Sequence, residues 1–264
     1  MSEAVGSARQ VPSSGQALGL LVSAELVGMA HNRRSLLWTT AVPVAILILG
    51  ASQLPAGAPR QAIWAIVALA SMVGAFVLGL QGYATDLVGY RERGVFRRLR
   101  TTPVPAPLIL VVRALAALLA IVIQFLVVVA VAAIAYHAHP TAATLAGGLG
   151  VVILGGLSAL ALAQLIIART ARAQSALALA RLVLMVSVFL TGVLIRVSAW
   201  PAFWRHLADW TPVRLAAALM VVTLSGHAWS GADWQHAAGL GAWILVAGFV
   251  GVAAFRWDGA DGSS

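Results

Sequence analysis

Six long apolar stretches carry most of this chain, and its polar residues are gathered between them. They cover about residues 36–53, 62–86, 108–136, 145–168, 177–195 and 237–255, each close to the ~20 helical residues that cross a bilayer core about 30 Å thick. The pattern predicts an all-α polytopic membrane protein with six transmembrane helices, and an even number returns both termini to one side. Ahead of the first stretch, Ala17–Arg34 mixes Leu18, Leu21, Val22, Leu26 and Met29 with Ser23, Glu25, His31, Asn32, Arg33 and Arg34, the make-up of an interfacial elbow helix. Between the fifth and sixth stretches the apolar piece Val213–Leu224 is too short to cross, while Trp200, Trp204, Trp210, Trp229 and Trp234 suit a headgroup layer. Short outer-face or re-entrant helices are expected there, two of them started by Pro201 and Pro212. One transmembrane domain then covers 17–257, between a polar tail at 1–16 expected to be disordered and a short tail at 258–264. The first tail lacks the charged-then-apolar order of a cleaved signal peptide.

Composition agrees with this reading. Hydrophobic residues make up 61% of the 264, against roughly 45–50% in soluble domains, and the mean hydropathy is +0.94. The formal charge of +9 does not point to nucleic acid, because the basic residues lie between apolar stretches and form no separable soluble unit. They report orientation instead. With both termini inside, the inner side collects Arg9, Arg33, Arg34, Arg91, Arg93, Arg97, Arg98, Arg100, Arg113, Arg169, Arg172, Arg181 and Arg256, and the outer side only Arg60, Arg196, Arg205 and Arg214. Cytoplasmic loops are the arginine-rich ones, so both termini are expected in the cytoplasm. Arg113 and Arg181 lie about one turn inside their stretches, from which a long side chain snorkels to the inner interface. All 17 basic residues are arginine, and a phosphate-binding loop of the Walker type needs a lysine. This chain is therefore not itself a P-loop ATPase. Without cysteine it has no disulfide, thiolate nucleophile or sulfur metal site.

The densest charge lies in Tyr90–Pro105, YRERGVFRRLRTTPVP. Val95, Phe96 and Leu99 recur at helical spacing among Arg93, Arg97, Arg98 and Arg100, which predicts a short amphipathic helix with an apolar ridge. Thr101, Thr102 and Pro103 end it, since a residue before proline disfavours helix. On composition alone such a helix either lies on anionic lipid or receives a soluble partner.

The passage ATDLVGYRERGVFRRLRTTPVPAPLILVVR resembles the loop between the second and third spans of ABC type-2 permeases, the membrane subunits of bacterial exporters for drugs, lipids and polysaccharides. That family carries a run of the form E-R-E/R-x-G-T-x-x-R-L-x-x-T-P-V, matched here by Glu92, Arg93, Gly94, Arg98, Leu99, Thr102, Pro103 and Val104. Val95 replaces the usual threonine, losing a hydroxyl cap, and Arg97 replaces a frequent acidic residue. SAWPAFWRHLADWTPVRLAAALM is similar to the family's outer segment after the fifth span, through Pro201, Phe203, Trp204, Thr211 and Pro212. The resemblance implies that Arg91, Glu92, Arg93, Gly94, Val95, Phe96, Arg97, Arg98, Leu99, Arg100, Thr101, Thr102 and Pro103 form a cytoplasmic coupling helix seated in a groove of a separate ATP-binding subunit. It also implies a dimer with a second permease, identical or related, in a bacterial cell membrane. The chain would be a non-catalytic transport subunit of an exporter for drug-like or lipid-like substrates, as in multidrug efflux and antibiotic resistance. It would hold no cofactor itself, ATP and Mg belonging to the partner. Besides that subunit and the second permease, membrane lipid is an expected partner and nucleic acid is not. A polysaccharide exporter, or a membrane sensor or scaffold without transport, are the alternatives.

Other chemistry finds less support in the residues. His137 and His139 form an H-x-H with no carboxylate or cysteine nearby to complete a metal set, so no metal site is expected. Gly156–Leu160 breaks the G-x-S-x-G pattern of a nucleophile elbow. Asp86 and Glu25 map near the inner edge, which leaves the middle of the membrane without the acid that a proton-coupled antiporter needs. Gln124 and Gln164, well inside their stretches, either hydrogen-bond between helices or face a substrate path. Tyr83, Phe76 and Trp243 suit packing or lipid-facing positions better than the lining of a passage. The glycines of Gly147–Gly150 and Gly155–Gly156 are expected to let helices approach closely.

Overall fold

The computed structural model describes residues 33–55, 57–93, 106–170, 172–191 and 201–254. The expected elbow helix before Arg33, both tails, and Gly94–Pro103 of the expected coupling helix lie outside them. Among the described residues all regular structure is helical. Helix α1 is Arg33–Ser52, α2 Arg60–Phe76 and α3 Tyr83–Glu92, with a π-helical segment, Val77–Gly82, joining the last two. Then follow α4 (Ala106–Tyr136), α5 (Ala142–Arg169), α6 (Ala173–Leu190), α7 (Ala202–Asp209), α8 (Pro212–Leu224) and α9 (Gly231–Ala253).

Among the described residues each apolar stretch overlaps a helix. Three helices among the described residues are long and apolar enough to cross a membrane, Arg60–Glu92, Leu110–Tyr136 and Ala142–Arg169, or up to four if α7 and α8, bent by 75°, make one broken span. Thr40–Ser52 and Gln174–Leu190 are shorter apolar helices. The expected six crossings are thus met in part. The second stretch also runs further than its apolar content suggested: α2, the π segment and α3 form one continuous helix of 33 residues ending at Glu92. Arg91 and Glu92 therefore close the span helix itself.

The helix ends follow local chemistry. Pro201 caps α7 and Pro212 is the first residue of α8, where its missing N–H costs nothing. At the far end of α8, Gly226 has φ +75°, donates to the Thr223 carbonyl, and lets His227 reach back to Val222, a Schellman closure that needs a left-handed residue. The Thr141 hydroxyl accepts from the Thr144 N–H at 3.2 Å to cap α5. Before α9, Ser230 donates through its N–H (2.8 Å) and hydroxyl (2.6 Å) to Asp233 Oδ2, and the Asp233 N–H points back to the serine hydroxyl at 3.4 Å. The Ser230 side-chain bond, then its backbone bond, hold the Asp233 carboxyl below the usual carboxylate range.

Helix α5 is the central post, packed most extensively on α9 and α8. Lipid tails supply little hydrophobic drive between spans, so close approach at small residues carries the packing. A β-carbon on Gly147 would lie 2.6 Å from Thr223, one on Gly148 2.8 Å from Phe125, and one on Gly155 3.0 Å from Met72. The expectation for these glycines holds, apart from Gly150, which faces open space. One buried cluster joins Leu47, Met72, Phe125, Val152, Leu219 and Leu240 from five helices and α1. A second, nearer the α3–α4 connection, holds Phe76, Leu80, Tyr83, Leu110, Ile167 and Val213. Phe76 and Tyr83 are packing residues accordingly. The opposite face of α4 exposes Val111, Leu115, Leu119, Ile123 and Leu126 at helical spacing, as a helix facing lipid does.

Val213 belongs to the second cluster and Leu215, Leu219 and Leu224 to the first, so α8 is packed into the bundle along its length, and α7 meets it at the 75° bend of a broken span or a re-entrant loop. At its corner Arg214 Nε donates to Asp209 Oδ1 at 2.7 Å. Arg214 is thereby paired at the bend. Trp204 and Trp210 are exposed, and Trp243 of α9 donates to the Trp210 carbonyl at 3.0 Å.

Candidate functional site

The site of interest is where α3 hands the chain to the arginine-rich connection. Asp86, Tyr90 and Arg93 stand four and three residues apart and so share one stripe of the helix, while Tyr83, Ala84, Leu87 and Val88 bury the other. Facing the stripe is Arg113 of α4. Its guanidinium carbon lies 3.8 Å from the centre of the Tyr90 ring, and Nη1 lies 3.8 Å from Asp86 Oδ2. Arg93 covers the same ring at 5.3 Å. Each cation–π contact contributes about 0.5–1 kcal/mol where water has access. The arginine that sequence reasoning sent to the lipid interface is engaged by protein groups, because an aromatic face and a carboxylate lie within its reach.

Arg91 turns the other way. Its Nη1 donates at 3.1 Å to the carbonyl of Thr170, the residue that ends α5, where a cation meets the negative end of the helix dipole. One turn and more back along α3, the Tyr83 hydroxyl donates to Gln164 Oε1 of α5 at 3.2 Å and lies 3.4 Å from the Leu110 carbonyl of α4. The last ten residues before the connection are thus tied to α4 through Arg113 and Tyr83, and to α5 through Arg91 and Gln164.

Of the coupling residues expected from the sequence, Arg91, Glu92 and Arg93 lie in this arrangement, and Gly94–Pro103 fall outside the described residues. Gln164 is buried as an interhelical acceptor. Gln124 is buried as well, 1% exposed, its carboxamide where a β-carbon of Gly74 would be, 2.7 Å away, and neither amide atom has a partner among the described residues. Sequence reasoning missed Tyr90, Thr170 and the Asp86–Arg113 pair. The stripe of Asp86, Tyr90 and Arg93 is readable at spacing i, i+4, i+7; Thr170 is not, since nothing local marks it as the end point of Arg91.

A family model described as ABC-2 type transporter matches residues 16–225, most of the chain. The chain belongs to the ABC-2 type transporter family. As an ABC-2 protein it is a multi-pass permease subunit of an ABC transporter, the transmembrane partner of an ATP-binding subunit rather than the ATPase. No curated protein matches this ABC-2 chain in a sequence comparison.

Proposed function

We propose that this permease exports a drug-like or lipid-like substrate, driven by ATP that a separate subunit hydrolyses, and that Arg91–Pro103 is where that subunit pushes. The observation that carries the reading is the double tie of α3, Arg113 on Tyr90 and Arg91 on the Thr170 carbonyl, at the mouth of the connection. A surface that must transmit force needs attachment to more than one span, and the contacts of Tyr90 and Arg91 support such attachment at its α3 end. The reading includes six crossings with both termini cytoplasmic, supported by the arginine distribution and by helices at all six apolar stretches. It includes two permease copies, each on an ATPase, because alternating access in this family type needs a pathway between halves. The short connection His137–Thr141 between α4 and α5 supports a compact outer face, suited to small or amphipathic cargo.

The test is charge on the ridge. In the full complex reconstituted in liposomes, Phe96→Asp and Leu99→Asp are expected to insert and assemble normally yet lose substrate-stimulated ATP hydrolysis. Normal stimulation in both variants would refute the contact.

A further inference from the structure

At the end of the bundle opposite the arginine-rich connection, three connections converge on a cavity of about 420 Å³. Arg60, Gln61 and Trp64 reach it from the start of α2, His139, Pro140, Thr141 and Thr144 from the α4–α5 turn, and Ser225 and His227 from the end of α8. Its chemistry is one-sided. It holds one guanidinium, two imidazoles, a carboxamide and hydroxyls, and no carboxylate lines it among the described residues. Arg60 has no ion pair among the described residues. The Ser225 hydroxyl is shielded from solvent with no partner among them, whereas the Thr141 and Thr144 hydroxyls already satisfy each other. The first turn of α2 also lacks a side-chain cap, so the positive end of that helix is left unanswered.

We propose that this cavity binds a phosphate group. A guanidinium offers two parallel N–H donors to phosphate oxygens, and each imidazole offers at least one ring N–H whatever its charge. Gln61 supplies further donors, and Trp64 closes one wall. The same guanidinium repels a divalent cation, which turns the two histidines away from metal binding and towards an anion. Phosphate of this kind comes either free in solution or as the headgroup of a lipid in the adjoining leaflet. The assignment rests on the residues at this mouth and not on the export reading.

Binding is measured on the full chain in a phosphate-free maltoside detergent by phosphorus NMR titration, with inorganic phosphate in one arm and dihexanoyl-phosphatidylglycerol in the other. Saturable binding in the first arm identifies free phosphate, and in the second arm alone a lipid headgroup; either supports the site. Arg60→Gln is expected to weaken binding by about tenfold or more, as loss of a charge-assisted bidentate contact does, and His227→Gln by a smaller factor. Arg205→Gln, on α7 away from the cavity, is expected to leave it unchanged. Absence of saturable binding in both arms, or full binding by folded Arg60→Gln protein, overturns the proposal. Coupled ATP hydrolysis, measured separately in the full complex, reports on the export reading alone, so one idea can fail while the other stands.

Discussion

Gln124 shows how much a single side chain can disagree with its surroundings. Its amide is buried against Gly74 with no partner for either polar atom among the described residues, and Ser71, one turn away from Gly74 on the same helix, also has a buried hydroxyl without one. An unmet buried polar group costs about 1–3 kcal/mol, so Gln124→Met, which keeps the length and removes the polarity, is expected to raise thermal stability by about 1 kcal/mol. A clear drop in melting temperature would mean that the amide has a partner in the assembled protein. The residue scale was the least legible in sequence. Gln124 and Gln164 read alike there, yet one is an orphan and the other accepts from Tyr83. Their difference lies in what the neighbouring helix presents, a bare glycine in one case and a phenol in the other. The same limit hid Arg113, whose aromatic and acidic partners stand on a different helix from its own.

Elements were far more legible, because span position depends on a long apolar average that no single neighbour can overturn. The helices start where proline or a hydroxyl residue precedes the apolar run and end at glycine or in a polar turn, as at Pro212, Thr141 and Gly226. What the average conceals is a break in geometry without a break in composition. The π segment VLGLQG reads as ordinary apolar span, whereas the break between α7 and α8 is marked by Pro201 and Pro212. One cap permits a test at this scale. Because the Asp233 carboxyl is held below its ordinary 3.8, its contribution is present above that value and is lost as pH falls through the folded-state value. Asp233→Ala is expected to cost about 1 kcal/mol near neutrality. The gap between wild type and variant in thermal unfolding is expected to shrink as the medium is taken below pH 3.8. A gap that stays constant in acid would show that Ser230 holds the helix start without the carboxylate.

At the scale of the whole molecule, the 33-residue helix from Arg60 to Glu92 links the two ends of the bundle. At 1.5 Å per residue it is about 50 Å long, well beyond the ~30 Å hydrocarbon core. Arg60 at its start lines the cavity at one end and Arg91 near its finish donates to Thr170 at the other. Midway, the Tyr83 N–H bonds to the Leu78 carbonyl, five residues back. A π turn holds about one residue more than an α turn, so the rod carries a spare link between Val77 and Gly82. Shortening the rod there is therefore unlike shortening it anywhere else. Deleting Leu78 is expected to let the segment relax into α geometry with Tyr83, Asp86 and Tyr90 still facing their partners, and coupled ATP hydrolysis retained. Deleting Ala70 turns everything beyond it by about 100°, and is expected to abolish assembly. Equal damage from both deletions would show that the extra residue is fixed in place; unequal damage makes this the one link at which the rod can change its length without losing its grip at either end.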